Sequence, residues 1–223
     1  MNVESRDSVS LKPVELDLMA QLLAANQLPL SDEQLDQHIE KFPLVVVAAE
    51  DDELGGFMFG SLERIGGTPA ILWGLGTARR GREAADALRA MTAELYRRAG
   101  ISFPDEDVLV GARIAQPAGY TLLGAYAGVV PRPGYTPTGE ERAWGRRLAK
   151  RYGCESCFDD RSFRVALGGR KPPVAAVLDA SAVKATGGAK VKDLVGELDP
   201  RQGQAMIAFG WAAAEDLAAI HGR

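Results

Sequence analysis

Two cysteines, Cys154 and Cys157, have the spacing that is typical of thiol or zinc chemistry. A structural zinc site takes four ligands, and the two histidines, His38 and His221, lie far from this pair in sequence. A redox-active pair usually opens a helix after a strand, and that context is absent here. With two histidines and no nucleophile-elbow pattern, a Ser-His-Asp triad is also disfavoured. The cysteines are therefore interpreted as packing residues, and no metal site is predicted.

Charge is unevenly distributed along the chain. Residues 1–53 carry 12 acidic and three basic residues, a balance of −9. Residues 78–151 carry 13 basic and eight acidic residues, a balance of +5. The middle of the chain is therefore where an anionic ligand or partner would bind, unless its arginines only solvate helix surfaces. The overall net charge of −4 disfavours a generally basic nucleic-acid-binding protein but leaves a local basic patch open.

Two further features lie on predicted strands. The segment Gly74-Leu75-Gly76 follows a strand and precedes a helix, but Arg79 stands where a dinucleotide-binding loop requires its third glycine. Glu63 could act as a general base, directly or through water, if its strand turns it toward a cleft. A solvent-facing glutamate is the alternative. Arg113 could bind an acidic group in the same cleft, or it could pair with a surface carboxylate.

Hydrophobic periodicity and capping signals define the elements that would position these residues. Pro13 begins a first helix, and Ser31 begins a second with Gln34 completing a capping box. The segments predicted next are strands at 44–49, 54–65 and 70–75, a long helix from about 84 to 99, and a strand at 107–115. The first two strands form a hairpin. The crossover through the long helix predicts a parallel, right-handed connection between the strands on either side of it.

The pattern is less regular after the fourth strand. Thr138 caps a basic helix whose apolar residues recur every four positions from Trp144 to Tyr152. The other predicted elements are a short helix at 117–126, an extended segment at 129–130, a strand at 158–167, a linker at 168–173, and a C-terminal helix with an apolar stripe over 199–220. That stripe could cover the sheet or form the contact of a homodimer.

The order of these elements predicts the fold class. Three adjacent strands before the first crossover favour a mixed, mostly antiparallel sheet flanked by helices, which is the α+β class. We predict one domain over residues 1–167, followed by a linker and a helical C-terminal extension over residues 168–223.

This order resembles that of the GNAT superfamily of N-acyltransferases over about residues 10–135. In that superfamily a loop leads into a long helix whose N-terminus holds the pyrophosphate of acyl-CoA. The family loop reads Gln or Arg, two residues, Gly, one residue, Gly or Ala, and soon afterwards Ala-Leu. Here Arg80, Ala85 and the Ala87-Leu88 pair match, and Glu83 stands where the first glycine is expected. Exposed N–H groups at a helix start attract phosphate, and a small residue allows close approach.

The resemblance implies two sets of cofactor-binding residues. The strand end at Leu75, Gly76 and Thr77 would pair with the pantetheine arm of acyl-CoA. The phosphates would be held by the loop residues Arg80, Gly81, Arg82, Ala84 and Ala85.

The resemblance also implies catalytic residues. Glu63 would serve as the general base. The family often has a tyrosine as general acid after the fourth strand, and Gly124 occupies its place here. Tyr126 or Tyr120 would have to substitute, and we select Tyr126.

The implied function is acyl-CoA-dependent N-acyl transfer, with acetyl-CoA as the cosubstrate and an amine of a small molecule as the acceptor. The departures at Glu83 and Gly124 favour an alternative, a catalytically degenerate binding or regulatory protein of the same fold. A third reading, suggested by the basic middle segment, is an acyltransferase acting on an RNA-linked or protein amine.

No apolar run approaches the length of a membrane span, and the N-terminus does not have the pattern of a signal peptide. With no disulfide framework, we expect a cytoplasmic protein without a membrane partner.

Overall fold

The computed structural model describes residues 1–51, 53–123, 127–165 and 175–221. The strands in these residues are β1 (Asn2–Asp7), β2 (Leu44–Glu50), β3 (Glu53–Ile65), β4 (Thr68–Ala78), β5 (Val108–Ile114), β6 (Ala127–Val130), β7 (Phe158–Asp159), β8 (Arg164–Val165) and β9 (Met206–Ala212). The α-helices are α1 (Pro13–Ala25), α2 (Asp32–Lys41), α3 (Ala84–Ser102), α4 (Pro117–Leu123), α5 (Gly139–Tyr152), α6 (Gly188–Val195) and α7 (Ala214–His221).

The strands form one mixed sheet. Its order is β1-β2-β3-β4-β5-β9-β8-β7, and β6 also pairs with β9. The β4–β5 pair is parallel, and the other strand pairs are antiparallel. The prediction of an α+β fold with a mostly antiparallel sheet flanked by helices is confirmed.

Several local predictions are also confirmed. β2 and β3 form the predicted hairpin, with Glu50 opposite Glu53. The next turn uses Gly66 and Gly67, both at positive φ, where glycine avoids the steric cost that a side chain would carry. In the chain, β4 precedes α3 and β5 follows it, and the two strands pair in parallel, as a crossover helix requires. The Ser31 side chain accepts from the N–H of Gln34 at the start of α2.

Helices cover both faces of the sheet. On β3, an added Cβ at Gly60 would lie 3.0 Å from Leu95 of α3. Gly60 pairs with Trp73, so the neighbouring Leu72 points to the opposite face. On that face an added Cβ at Gly111 would meet both Leu72 and Leu148 of α5. Helix α3 and helix α5 therefore lie on opposite sides of the sheet.

The sequence does not predict strand β1, because its pattern begins the fold with two helices. Residues 2–7 pair antiparallel with β2 along its outer edge, from Asn2 opposite Ala49 to Asp7 opposite Leu44. Apart from Val3 the strand is polar, and its side chains are exposed or half-buried. An edge strand with little apolar burial gives no alternation of apolar and polar residues for a sequence reading to detect.

The prediction of a helix across residues 199–220 is wrong at its centre. Residues 206–212 form β9, which lies between β5 and β8, and only 214–221 are helical. Ile207, Ala208 and Phe209 are all buried because β9 is covered on both faces. A strand buried on both faces reads as a continuous apolar run, which spacing alone does not separate from a helix. Asp199 does cap a turn, but that turn is a 3₁₀ helix at Pro200–Gln202.

β9 also changes how the C-terminal part is connected. β6 and β9 are paired, with Val130 opposite Phe209, so residues 131–205 connect two neighbouring strands of the sheet. We call residues 131–205 the excursion. It contains α5, the short β7–β8 hairpin and α6. The predicted boundary at 167/168 and the linker at 168–173 lie outside the described residues, as do residues 166 and 167 of the strand predicted at 158–167. The described part of that segment is not one strand but the β7–β8 hairpin, in which Phe158 lies opposite Val165.

The apolar stripe of α7 packs within the chain. Leu217 is buried, and its carbonyl lies 3.3 Å from where a Cβ of Gly100 on α3 would be. Ile220 is partly exposed. Helix α7 therefore packs on α3, which is neither of the two predicted uses of the stripe, and the homodimer contact stays a prediction. Among the described helices, none combines the length and the apolar character needed to cross a bilayer.

Candidate functional site

A cleft lies where β4 and β5 diverge. In the described residues the two strands pair only from Ala70 opposite Leu109 to Leu72 opposite Gly111. Beyond Leu72 the main-chain groups of β4 that face β5 need other partners, because buried backbone N–H and C=O groups are almost always hydrogen-bonded. This divergence is where the sequence predicted the pantetheine-binding strand end.

The narrow end of the cleft is closed by Tyr152, the last residue of α5. Its hydroxyl lies 2.9 Å from the carbonyl oxygen of Trp73 on β4 and 3.0 Å from that of Gly111 on β5. The ring is fully buried, and this burial raises the pKa of the phenol far above its usual value. The hydroxyl is therefore a permanent donor that joins the two strands. The sequence predicts Tyr152 as a packing residue of a helical stripe, and its spacing does not indicate this bridge.

The next part of the cleft holds a segment of the excursion. We call residues 175–181 the strap. Val177 and Asp179 bond to both main-chain groups of Gly76: the Gly76 N–H donates to the Val177 carbonyl at 3.1 Å, and the Asp179 N–H donates to the Gly76 carbonyl at 2.8 Å. The strap runs parallel to β4, with Leu178 opposite Gly76. Strap residues 175–180 are buried.

The Asp179 carboxylate fixes the strap in place. One oxygen, Oδ2, accepts from the Thr77 hydroxyl at 3.2 Å. The other, Oδ1, accepts from the Gln116 amide at 3.1 Å and from the N–H of Ser181, also at 3.1 Å. The Gln116 carbonyl oxygen in turn accepts from the Ala180 N–H at 2.9 Å. One carboxylate thus ties β4, the end of β5 and the strap together.

This network extends to α1. The Asn26 amide donates to the Thr77 hydroxyl at 2.6 Å and to the Ala78 carbonyl at 2.8 Å. Asn26, Thr77 and Asp179 are all nearly inaccessible to solvent. Buried polar groups that are bonded in this way favour one arrangement of the chain, because breaking any contact leaves a desolvated group unpaired. A carboxylate inside the apolar run 175–180 was the one sequence signal that could have pointed to this site.

The predicted pantetheine-binding residues therefore lie in the cleft but face an intramolecular occupant. Leu75 and Thr77 are buried, and the N–H and C=O of Gly76 are both used by the strap. An added Cβ at Gly76 would lie 2.8 Å from the Leu178 side chain, which measures how closely the strap approaches. An extended acyl-CoA arm does not fit beside β4 while the strap occupies this position.

The predicted phosphate-binding loop is exposed and carries basic and acidic side chains. Arg80, Gly81 and Arg82 are exposed, Ala84 is buried at the start of α3, and Ala85 is half-buried. The loop borders a cavity of about 530 Å³.

Acidic side chains surround the same cavity. Glu83 is the N-cap residue of α3, and the nearby Glu50 carboxylate, which can accept a hydrogen bond from protonated Glu83, raises the pKa of the Glu83 carboxyl. Arg79 donates to Glu53 at 2.5 Å and to the Leu54 carbonyl, so its charge is already paired. Two carboxyl groups close enough to share a hydrogen bond disfavour a pyrophosphate at this helix start.

The predicted general base is engaged elsewhere. The Glu63 carboxylate accepts from the Arg151 guanidinium at 2.8 and 2.9 Å and from the Ser61 hydroxyl at 2.6 Å. Glu63 pairs with Ala70, at the end of β4 that is joined to β5 rather than in the diverging part. The structure therefore does not bring Glu63 beside Gly76.

The predicted general acid, Tyr126, lies outside the described residues, as does Gly124. Tyr120, the other tyrosine considered, is on α4 and is buried, which raises the pKa of its hydroxyl.

A buried polar cluster that the sequence did not predict lies on the α5 side of β5. The guanidinium of Arg113 is deeply buried and lies 5.3 Å from the ring centre of Tyr152, and its pKa is lowered by that burial. Lys41 donates to the Tyr152 carbonyl at 2.8 Å. Burial, followed by the nearby charges of Arg113 and Lys41, lowers the pKa of His38 to about 4. Burial raises the pKa of the Cys154 thiol. Arg113 was predicted to face a cleft or a surface carboxylate; the structure buries its guanidinium against the Tyr152 ring.

The cysteine pair lies beside this cluster. Cys154 and Cys157 are both buried free thiols, joined by a short turn in which the Cys157 N–H donates to the Cys154 carbonyl. No group of three or more His, Cys, Asp or Glu side chains in the described ranges is arranged to hold a metal ion.

The basic face of α5 is largely committed to local contacts. Arg146 pairs with Asp160, and Arg151 pairs with the glutamate of β3 described above. The Arg147 guanidinium lies 4.6 Å from the ring centre of Trp144. These contacts engage three basic residues of α5, and the anionic partner suggested by the basic segment stays a prediction.

Known structures share part of this architecture. The chain is similar to an aminoglycoside 6'-N-acetyltransferase from Enterococcus faecium, with 17% identity over 52% of this chain and 64% of that one, less than two thirds of its length, at a TM-score of 0.41. It is similar to an aminoglycoside 6'-acetyltransferase type Ii, with 17% identity over 59% of this chain and 88% of that one, at a TM-score of 0.43. It is also similar to the ribosomal-protein-S18-alanine N-acetyltransferase from Escherichia coli, with 13% identity over 63% and 87% of the two chains, at a TM-score of 0.39.

Identities and TM-scores this low carry no inference about activity. No protein-family model matches the sequence, and no curated protein sequence matches it either.

Proposed function

We propose that this chain is a catalytically degenerate protein built on a GNAT-like architecture, acting as a binding or regulatory module rather than as an acyltransferase. One observation carries the proposal: both main-chain groups of Gly76 are bonded to Val177 and Asp179 of the same chain. A cosubstrate that must pair with this strand end would have to break both bonds and the Asp179 network behind them.

Two further observations support the proposal. The carboxylate predicted to remove a proton, Glu63, is held by Arg151 and Ser61 away from the divergence of β4 and β5. The helix start predicted to hold a pyrophosphate has Glu50 close to Glu83, which raises the pKa of the Glu83 carboxyl. A general base needs reach to the reacting group, and a phosphate site needs positive potential, so both predicted roles are disfavoured.

The second candidate is the acyl-CoA-dependent N-acyltransferase that the resemblance implied. The open cavity at the start of α3, with Arg80 and Arg82 exposed beside Gly81, favours it. In this candidate Arg80, Gly81, Arg82, Ala84 and Ala85 hold the phosphates of acetyl-CoA, and a small-molecule amine is the acceptor. This candidate requires the strap to leave the edge of β4 before the cosubstrate enters.

Calorimetry with acetyl-CoA and with free CoA separates the two candidates. The degenerate protein is expected to give no binding heat with either compound, and no release of free thiol when acetyl-CoA is mixed with a panel of small amines. Binding in the micromolar range together with amine-dependent thiol release would overturn the proposal in favour of the acyltransferase. The variant Glu83→Gly is the matched control, because it removes the bulk and the negative charge of the Glu83 side chain while leaving the strap in place.

A further inference from the structure

The outer edge of β1 carries main-chain groups that face away from the sheet. β1 is the first strand in the sheet order, and within the described residues β2 is its only neighbouring strand. The Ser8 N–H donates to the Pro43 carbonyl at 2.8 Å, and this pair continues the β1–β2 register by one residue. Because hydrogen-bonded and non-hydrogen-bonded pairs alternate along an antiparallel ladder, Val3, Ser5 and Asp7 turn their N–H and C=O groups outward. A further strand could bond to this edge.

The two residues that flank Ser5 carry opposite charges. Glu4 and Arg6 share one face of the strand, and the Glu4 carboxylate lies 3.9 Å from Arg6 Nε, which is longer than a hydrogen bond. Within the described residues, Arg6 makes one side-chain hydrogen bond, from Nη2 to Glu15 of α1. A guanidinium has five N–H donors, so Arg6 can bind a second carboxylate.

Antiparallel pairing of β1 with a second copy of itself uses both features in one register. With Ser5 opposite Ser5, the outward main-chain groups of the two strands meet, and Glu4 of each copy lies opposite Arg6 of the other. Pairing centred on Glu4 or on Arg6 would instead place two like charges directly opposite each other, which is destabilising. The charges of β1 therefore select the register centred on Ser5.

Exposed apolar side chains lie at both ends of this edge. Val9, in the 3₁₀ turn that follows β1, is 81% exposed, and Met1, which precedes β1, is 51% exposed. The register centred on Ser5 brings Met1 of one copy towards Val9 of the other. Leu18 of α1 is also exposed and borders a cavity of about 350 Å³ that β1 lines. Removing such side chains from water adds a hydrophobic contribution to strand pairing.

We propose that β1 is the interface of a homodimer, in which the β1 strands of two copies pair antiparallel about Ser5 and join their sheets into one. Two strands, β2 and β3, separate β1 from the edge of the cleft at β4, so the inference does not depend on the proposed function. It assigns the dimer contact to a strand edge rather than to the C-terminal helix.

Sedimentation equilibrium over a micromolar concentration series tests the proposal. Wild type is expected to reach twice the 23.8 kDa of one chain. Glu4→Arg and Arg6→Glu are each expected to weaken the dimer by about tenfold or more, because each variant places like charges opposite each other at two positions. An equimolar mixture of the two variants is expected to restore the dimer, since one copy then presents two positive charges and the other two negative charges.

The matched control is Asp193→Arg. Asp193 is an exposed acid on α6, so the substitution makes the same change of charge as Glu4→Arg on a different element. This variant is expected to have the mass of wild type.

Amide hydrogen exchange locates the contact. The Ser5 N–H is expected to be protected in wild type and in the mixture, and to lose that protection in either single variant. If Arg6→Glu does not fold without its contact to Glu15, Ser5→Pro takes its place. Ser5→Pro removes an outward N–H, leaves the β1–β2 hydrogen bonds intact, and is expected to abolish the dimer.

Three results would overturn the proposal. A wild type that stays monomeric throughout the series would show that the edge does not pair with a second copy. A dimer that survives Glu4→Arg or Ser5→Pro unchanged would place the contact elsewhere, for example on α7. A mixture of the two folded charge variants that stays monomeric would show that the register is not centred on Ser5.

Discussion

The hydroxyl of Tyr152 lies 2.9 Å from the carbonyl oxygen of Trp73, which precedes it by 79 positions in the chain. A side chain from the excursion thus completes the hydrogen bonding of a core strand just where that strand leaves its neighbour. The strap does the same one step further along, at Gly76. The cleft between β4 and β5 is filled by two separate parts of the excursion.

Tyr152→Phe is expected to lower the free energy of unfolding by about 2 kcal/mol, because two buried carbonyls lose their shared donor while the ring still packs. Denaturant titration measures the change. Tyr135→Phe is the control: the Tyr135 hydroxyl bonds to Glu141 in a partly solvated position, and its loss is expected to cost less than about 1 kcal/mol. Equal effects of the two substitutions would contradict the bridging role.

Gly76→Ala is expected to destabilise the protein by about 2 kcal/mol or more, since the added Cβ would lie 2.7 Å from the Phe57 carbonyl oxygen and 2.8 Å from Leu178. Gly139→Ala provides the comparison. Nothing lies within 4 Å of a Cβ there, at the first residue of α5, so stability is expected to be unchanged or to rise slightly. Thermal melts of the two variants test this; a neutral Gly76→Ala would show that the strap does not approach as described.

Stability is expected to fall as the pH is lowered from 7 to 5. The pKa of His38 is about 4 in the folded chain against its ordinary value of 6.5, so the unfolded chain binds the extra proton within this window. The linkage amounts to about 2 kcal/mol between pH 7 and pH 5. His38→Gln is expected to flatten that slope. A slope that survives His38→Gln would assign it to other groups.

Glu83→Gly is expected to leave CoA binding absent, although it restores a small residue at the helix start. The reason is that the strap still uses both main-chain groups of Gly76. Calorimetry on the single variant and on Glu83→Gly combined with Asp179→Ala gives the measurement. If the single variant bound CoA, the loop rather than the strap would be the barrier.

Much of the fold could be predicted because its signals are local. Ser31 with Gln34, and Thr138 with Glu141, form the capping boxes expected from their spacing. Gly66 and Gly67 mark the β3–β4 turn. In each case the residues that determine the structure are neighbours in sequence, so a pattern of a few residues suffices.

The filled cleft could not be predicted because its contacts join distant parts of the chain. Asp179 meets Thr77 across 102 positions and Gln116 across 63. Tyr152 fits an apolar helical stripe, and nothing in that pattern indicates that its hydroxyl reaches two strands. The same limit explains β9, whose burial on both faces removes the alternation that would have identified it as a strand.

The position of β9 has a consequence for how the chain acquires its structure. Ile114 pairs with Met206, so β5 gains its second neighbour only after the whole excursion has been traversed. Closing a loop of that length costs chain entropy before the new contacts are made. Until β9 arrives, a partly assembled sheet exposes β5 as an unpaired apolar edge, which is the kind of surface on which nascent chains associate. The interval between the synthesis of β5 and that of β9 is therefore when the β5 edge can associate with other chains.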